Sequence, residues 1–321
     1  MNSPGMFLEG DQLRPIWRFL LSVVVLFASF SLTAEIVGIG FAIAHAHPGM
    51  AATFFWRSLV GLVVLLAALK VMTAVFERRP LGSMGLAFHS RWWRELGLGI
   101  VLGAAMLCFV VLLEWSGGVV QFAFTPHPML WAGSFSFGLF VVAAAKEEVV
   151  FRGYAFQRLA EAITPVGAIA VTSALFGLAH FANPHRTWIS TLNTALVGIP
   201  FCVAYLRTRS LWMPIGMHFV WNFLQGFIIG LPVSGLVFSA TVLTARVQGP
   251  AWLTGGNYGP EGGLLATPPI LLGIAYLTFS KRIYTTKDMK ALALDPVVAP
   301  HHDAPITIFS TRSPEEESRR D

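Results

Sequence analysis

The chain has 321 residues, 55% hydrophobic and 12% charged, with a mean hydropathy of +0.65. A soluble domain carries about 25% charged residues, so the composition excludes an ordinary soluble fold and points to a polytopic membrane protein. The net charge of +5 is then no argument for a nucleic-acid partner, because basic residues of such proteins collect in cytoplasmic loops.

Residues 1–15 read as a short cytoplasmic segment. Ile16 to about Ala44 predict the first span, too long for the apolar core of a cleavable signal peptide. His45-Ala46-His47-Pro48 turn the chain, and Phe54 to Phe76 predict the second span. Glu35 and Arg57 lie at similar distances from that turn, so an antiparallel hairpin puts them level as a structural ion pair. Residues 77–94 form a basic loop in which Trp92 and Trp93 read as interface anchors. Glu95 to Leu113 predict the third span, and Phe122 to Pro128 a loop or shallow segment. The fourth span starts at Met129 and is expected to continue as one helix to about Ile163. Thr164-Pro165 cap and open the fifth helix, which runs to His180 and stops at Asn183-Pro184. Trp188–Leu206, Leu211–Leu231 and Gly262–Phe279 complete eight expected spans, with a Gly- and Pro-rich loop over 232–261. The membrane domain is thus 16–285, and 286–321 read as a disordered cytoplasmic tail. Basic loops alternate with loops poor in Lys and Arg, which places both termini in the cytoplasm. Cys108 and Cys202 lie in apolar runs and read as small core residues. His89, His127, His185, His301 and His302 read as loop or tail residues without a role.

Polar groups inside the apolar runs carry the chemistry. Lys146-Glu147-Glu148 follows a run without ionisable residues, and a charge at the bilayer centre costs at least about 2.5–3.5 kcal/mol. Glu148 and Arg152 share a helix face at i, i+4 and can neutralise each other. Glu147 points about 100° away and needs another partner. Glu147 and His180 lie almost equally far from the Ile163–Thr164 turn, so folding two helices back on each other brings them level. Phe176 sits one turn before His180. His218 and Asn222 form a second intramembrane i, i+4 pair. His218 and Asn222 alone could be interhelical glue, and Glu148–Arg152 alone a structural pair, but the five polar groups together mark a site. His-Glu-x-x-His and Gly-x-Ser-x-Gly are absent, and none of the Asp residues falls inside a span, which excludes an intramembrane aspartyl dyad.

Glu147-Glu148-x-x-x-Arg152, Phe176-x-x-x-His180 and His218-x-x-x-Asn222 resemble the three motifs of the CPBP family, also called Abi. That family comprises type II CAAX prenyl endopeptidases and bacteriocin-processing and self-immunity proteins. The resemblance covers residues 129–231. It implies an all-α fold of about eight transmembrane helices around a conical intramembrane cavity. It implies an endopeptidase in which Glu147 is the general base, His180 holds the same water, and His218 and Asn222 donate to the oxyanion. Glu148, Arg152 and Phe176 would support them. A metal-free reaction is favoured; zinc on Glu147, His180 and His218 stays open. The expected partners are a membrane-associated, prenylated or leader peptide and lipids, in a bacterial inner membrane. A non-catalytic scaffold or immunity protein of the same fold is the alternative, and a transporter using Glu147 as proton carrier is more distant. The substrate is not legible.

Overall fold

The computed structural model describes residues 6–9, 12–126, 131–238 and 240–293. The expected roles of His127, His301, His302 and the tail beyond residue 293 therefore lie outside the described residues. A small hairpin, β1 (Leu8–Glu9) with β2 (Gln12–Leu13), precedes α1 (Pro15–Ile43) and α2 (Met50–Met72). A π-helical turn extends α2 to Glu77. There follow α3 (Trp92–Ser116), β3 (Val120–Phe124), α4 (Trp131–Arg152), α5 (Tyr154–Ala162), α6 (Pro165–Ala179), α7 (Trp188–Thr208) and α8 (Trp212–Phe223). Beyond them lie β4 (Leu243–Val247), α9 (Ala251–Thr254), α10 (Thr267–Phe279) and α11 (Lys287–Leu292). The protein is mostly helical and polytopic, as its composition requires. Among the described residues, five helical stretches are long and apolar enough to cross a membrane: Pro15–Ile43, Met50–Glu77, Trp92–Ser116, Pro165–Ala182 and Trp188–Thr208. The other three expected spans correspond to α4, with Lys146, Glu147 and Glu148 in its second half, and to the shorter α8 and α10.

Several expectations need correction. The fourth helix does not run on to Ile163. It breaks at Gly153, where an added Cβ would lie 2.2 Å from the Val149 carbonyl oxygen, and α5 starts afresh against α1. The stretch read as a loop after α3 is instead β3, paired antiparallel with β4 in the register Val120 to Val247. The 232–261 loop is not irregular throughout, since it supplies β4 and α9. Nor is the segment from 286 structureless as far as it is described. Asp288 accepts from the Ser90 backbone N–H at 3.1 Å, Met289 is buried, and Arg79 caps the carbonyls of residues 291–293 at 3.2–3.3 Å. Among the described residues, Glu35 and Arg57 form no ion pair, and both are exposed. Cys108 faces outward and only Cys202 is buried.

Close packing of α3 on α8 sets the position of the second half of the site. Gly99 and Gly103 of α3 lie under α8, where an added Cβ would come 2.2 Å from the Met213 oxygen and 2.5 Å from the Met217 oxygen. Gly216 returns the contact, 2.5 Å from the Leu96 oxygen. Such small-xxx-small spacing lets two backbones approach in a membrane.

Candidate active site

Glu147, Phe176, His180, His218 and Asn222 line one cavity of about 360 Å³. Each comes from a different structural device. Glu147 stands in the last turns of α4. Thr164 caps α6 by accepting from the Gly167 N–H at 3.0 Å, and α6 ends in a tight 3-10 turn that starts with His180. The closely packed α8 carries His218 and Asn222.

The carboxylate that lacked a partner in sequence terms faces two imidazoles. Glu147 Oε2 lies 3.7 Å from His180 Nε2 and 3.8 Å from His218 Nε2. Among the described residues, this buried oxygen has no hydrogen-bond partner. The equal-rise argument thus names the right neighbours, although the Gly153 break removes the helix geometry on which it rested.

The outer nitrogens fix what the inner ones can do. His180 Nδ1 donates to the Phe176 carbonyl at 2.8 Å. A carbonyl can only accept, so in the neutral ring Nε2 is an acceptor. His218 Nδ1 donates to Glu148 Oε1 at 2.8 Å. Donation from His218 Nε2 to an oxyanion therefore requires the doubly protonated ring. The Glu148–His218 bond was missed in the sequence because Arg152 already accounted for Glu148.

Glu148 and Arg152 stand behind the cavity wall, both fully buried, 3.1 Å apart. Arg152 also donates to the Gly198 carbonyl at 3.0 Å, and its guanidinium lies 4.6 Å from the Phe176 ring centre and 5.0 Å from that of Phe201. Phe201 in turn stacks on His218 at 5.3 Å with ring planes 12° apart. Phe176 is thus a wall shared by Arg152 and His180, which gives its place in the motif a physical reason. Asn222 is half-buried at the cavity surface, its amide making no hydrogen bond to another described side chain.

Zinc can be tested against these distances. Four bonds of about 2.0–2.1 Å at tetrahedral angles place donor atoms roughly 3.3–3.4 Å apart. The 3.7 and 3.8 Å separations here are wider, and among the described residues no cluster of His, Cys, Asp and Glu is arranged to hold a metal ion. The donor set does not fit zinc as it stands.

Sequence reasoning missed the rest of the wall. Phe30 of α1, Phe54 of α2, Ser234 and Glu261 all line the cavity. Glu261 accepts from Gln225 Nε2 at 2.5 Å and from the Ser234 backbone N–H at 2.6 Å, while Asn183 donates to the Ser234 carbonyl at 3.0 Å. Gly259, at φ +113°, lets the chain fold back beside Pro232 and Gln225. Burial pushes the Glu261 carboxyl up to about 7. The only sequence signal was the string Gly259-Pro260-Glu261-Gly262 in a long loop. His89, dismissed as a loop residue, is buried and 3.1 Å from Glu95.

Residues 129–224 match the family model described as type II CAAX prenyl endopeptidase Rce1-like. The match takes in every residue of the three motifs and bears out the resemblance they carry. The chain is also similar to the curated protein named "Putative membrane peptidase YdiL" of Bacillus subtilis (strain 168), with 33% identity over 82 residues. That alignment covers 26% of this chain and 32% of the relative, so the chain spans about a third of the relative's length. No solved structure matches.

Proposed function

We propose that the chain is an intramembrane endopeptidase that cleaves a membrane-associated peptide by water attack. The observation that carries this reading is the unpaired Glu147 oxygen facing two imidazole nitrogens in a largely apolar cavity. A water seated there gives one hydrogen to Glu147 and the other to His180 Nε2, both acceptors, which leaves its lone pairs free for a carbonyl carbon. Attack forms the C–O bond as Glu147 takes the water's proton. The negative charge goes to the carbonyl oxygen, where the Asn222 amide and a protonated His218 Nε2 donate. Collapse breaks the C–N bond, and Glu147 returns its proton to the leaving amine. Glu148 and Arg152 hold His218 and the α4 backbone in register. The matched family and the peptidase relative support the class of reaction. Prenylated CAAX tails and leader peptides are the substrate classes to try first, and the protein is placed in a bacterial inner membrane with both termini cytoplasmic.

The test is cleavage of a membrane-peptide library by purified protein in liposomes. Glu147→Gln keeps shape and most hydrogen bonding and should abolish turnover. His180→Ala should be nearly as damaging, and the double variant little worse than either, because cooperating groups are not additive. Asn222→Ala should lose about 10²–10³ in rate, as for one oxyanion donor. Full cleavage by Glu147→Gln would remove Glu147 as the base. Stoichiometric zinc, lost in both His180→Ala and His218→Ala, would turn the reading to a metalloprotease. A cellular phenotype that survives Glu147→Gln while cleavage is lost would favour a scaffold or immunity role.

A further inference from the structure

Lys146 lines the same cavity on the side of α1 and α2, and also lines a small adjoining cavity with Phe30, Thr33 and Gly61. Its ammonium lies 3.4 Å from Ser58 Oγ and 5.7 Å from the centre of the Phe54 ring. Among the described residues it pairs with no carboxylate, since its neighbour Glu147 is turned to the imidazoles. A lysine inside a membrane domain ordinarily pairs with an acid or snorkels to the headgroups. Lys146 does neither. It is half-buried at the wall of a cavity whose other surfaces here are the rings of Phe30, Phe54 and Phe140.

A desolvated cation with a hydroxyl at its side and apolar rings around it recognises one kind of group: an anion carried on an otherwise apolar molecule. The depth argues against a phospholipid headgroup, because Ser58 and Gly61 lie well inside the span Met50–Glu77. A carboxylate can take one hydrogen bond from Lys146 Nζ and a second from Ser58 Oγ, and charge-assisted bonds of this kind are the strong ones. We propose that Lys146 and Ser58 form a carboxylate-binding site that seats the free carboxylate of an apolar peptide beside Glu147. The identity of that peptide as substrate rests on the peptidase reading. The carboxylate comes from the peptide's own C-terminus or from an acidic side chain. Lys146 acts here on binding and choice of peptide, and the proton steps remain with Glu147.

The experiment is calorimetric binding to the full chain in detergent, with three forms of an acetylated leucyl-valyl-isoleucyl-leucine peptide. One has a free C-terminal carboxylate, one a C-terminal amide, and one an amide with aspartate replacing the last leucine. The wild type should bind a carboxylate form about tenfold or more tighter than the plain amide, as hydrogen bonds to charged groups provide. Lys146→Met should erase that preference while keeping the affinity for the plain amide, and Lys146→Arg should restore part of it. Ser58→Ala should lose part. A preference for the free acid names the chain terminus as the source, and a preference for the aspartyl form names a side chain. Equal affinity for all three forms, or no binding of any at millimolar peptide, overturns the proposal. So does a preference that survives Lys146→Met. Glu147→Gln separates the two readings, because it should keep the carboxylate preference whether or not the wild type cleaves. If the preference depends on Lys146 and the wild type cleaves nothing in the library, the binding site stands and the peptidase reading fails.

Discussion

Glu148 has two partners, the buried guanidinium of Arg152 and His218 Nδ1. Removing one member of a buried pair leaves an uncompensated charge and costs about 3–5 kcal/mol. Glu148→Gln should therefore lower thermal stability as well as cleavage, whereas Glu147→Gln should lower cleavage alone. Thermal unfolding of the two purified variants separates them, and an unchanged Tm for Glu148→Gln would sink this account. Glu261 gives a second prediction. Burial raises its carboxyl from the ordinary 4.5 to about 7, with Gln225 and Ser234 bonded to it and Glu114 of α3 and Tyr258 as further titratable neighbours. A raised carboxyl contributes stability that is fully present below pH 4.5 and lost as pH rises through about 7. Amides of the 230–266 loop should thus be better protected from hydrogen exchange at acid pH than at alkaline pH, after correction for the intrinsic rate. Glu261→Gln should remove that dependence.

At the scale of elements, the α3–α8 contact makes a prediction that no side-chain chemistry does. Gly103→Ala puts a Cβ 2.5 Å from the Met217 oxygen and 2.7 Å from Val220 Cγ1, so α8 must shift and carry His218 and Asn222 with it. Overpacking of this kind costs about 1–3 kcal/mol, and cleavage should fall with Tm. Gly97→Ala, with nothing within 4 Å, should leave both unchanged. Most helices were legible because an apolar run of sufficient length has one outcome in lipid. The Gly153 break was not, because the Glu148–Arg152 spacing reads as an uninterrupted helix and only the close Val149 carbonyl marks Gly153. The β3–β4 ribbon was hidden because Val120 and its partner Val247 are far apart in the chain. The facing of Glu147 and His180 was legible because two lone polar groups in lipid seek each other. Glu261 and Lys146 were not legible as cavity residues: one sits in a loop whose path depends on Gly259, the other beside two carboxylates that drew the attention.

For the whole molecule, orientation is the open quantity, and the basic loops propose both termini on the cytoplasmic side. In a chain with Cys108 and Cys202 replaced, an impermeant reagent added outside should label Ala46→Cys and spare Lys281→Cys; both positions are exposed. The reverse pattern would invert the assignment. The cavity itself is assembled from distant parts of the chain. Its reactive groups all fall within residues 129–224, the stretch that matches the family model. Phe30, Phe54, Ser234 and Glu261 fall outside that stretch. Descent can therefore preserve the reaction in one block of sequence while the surrounding walls drift, so that two proteins sharing this block inherit a common chemistry and separate appetites. Exchanging α1 and α2 between such relatives should transplant the choice of peptide and leave the bond-breaking step where it was.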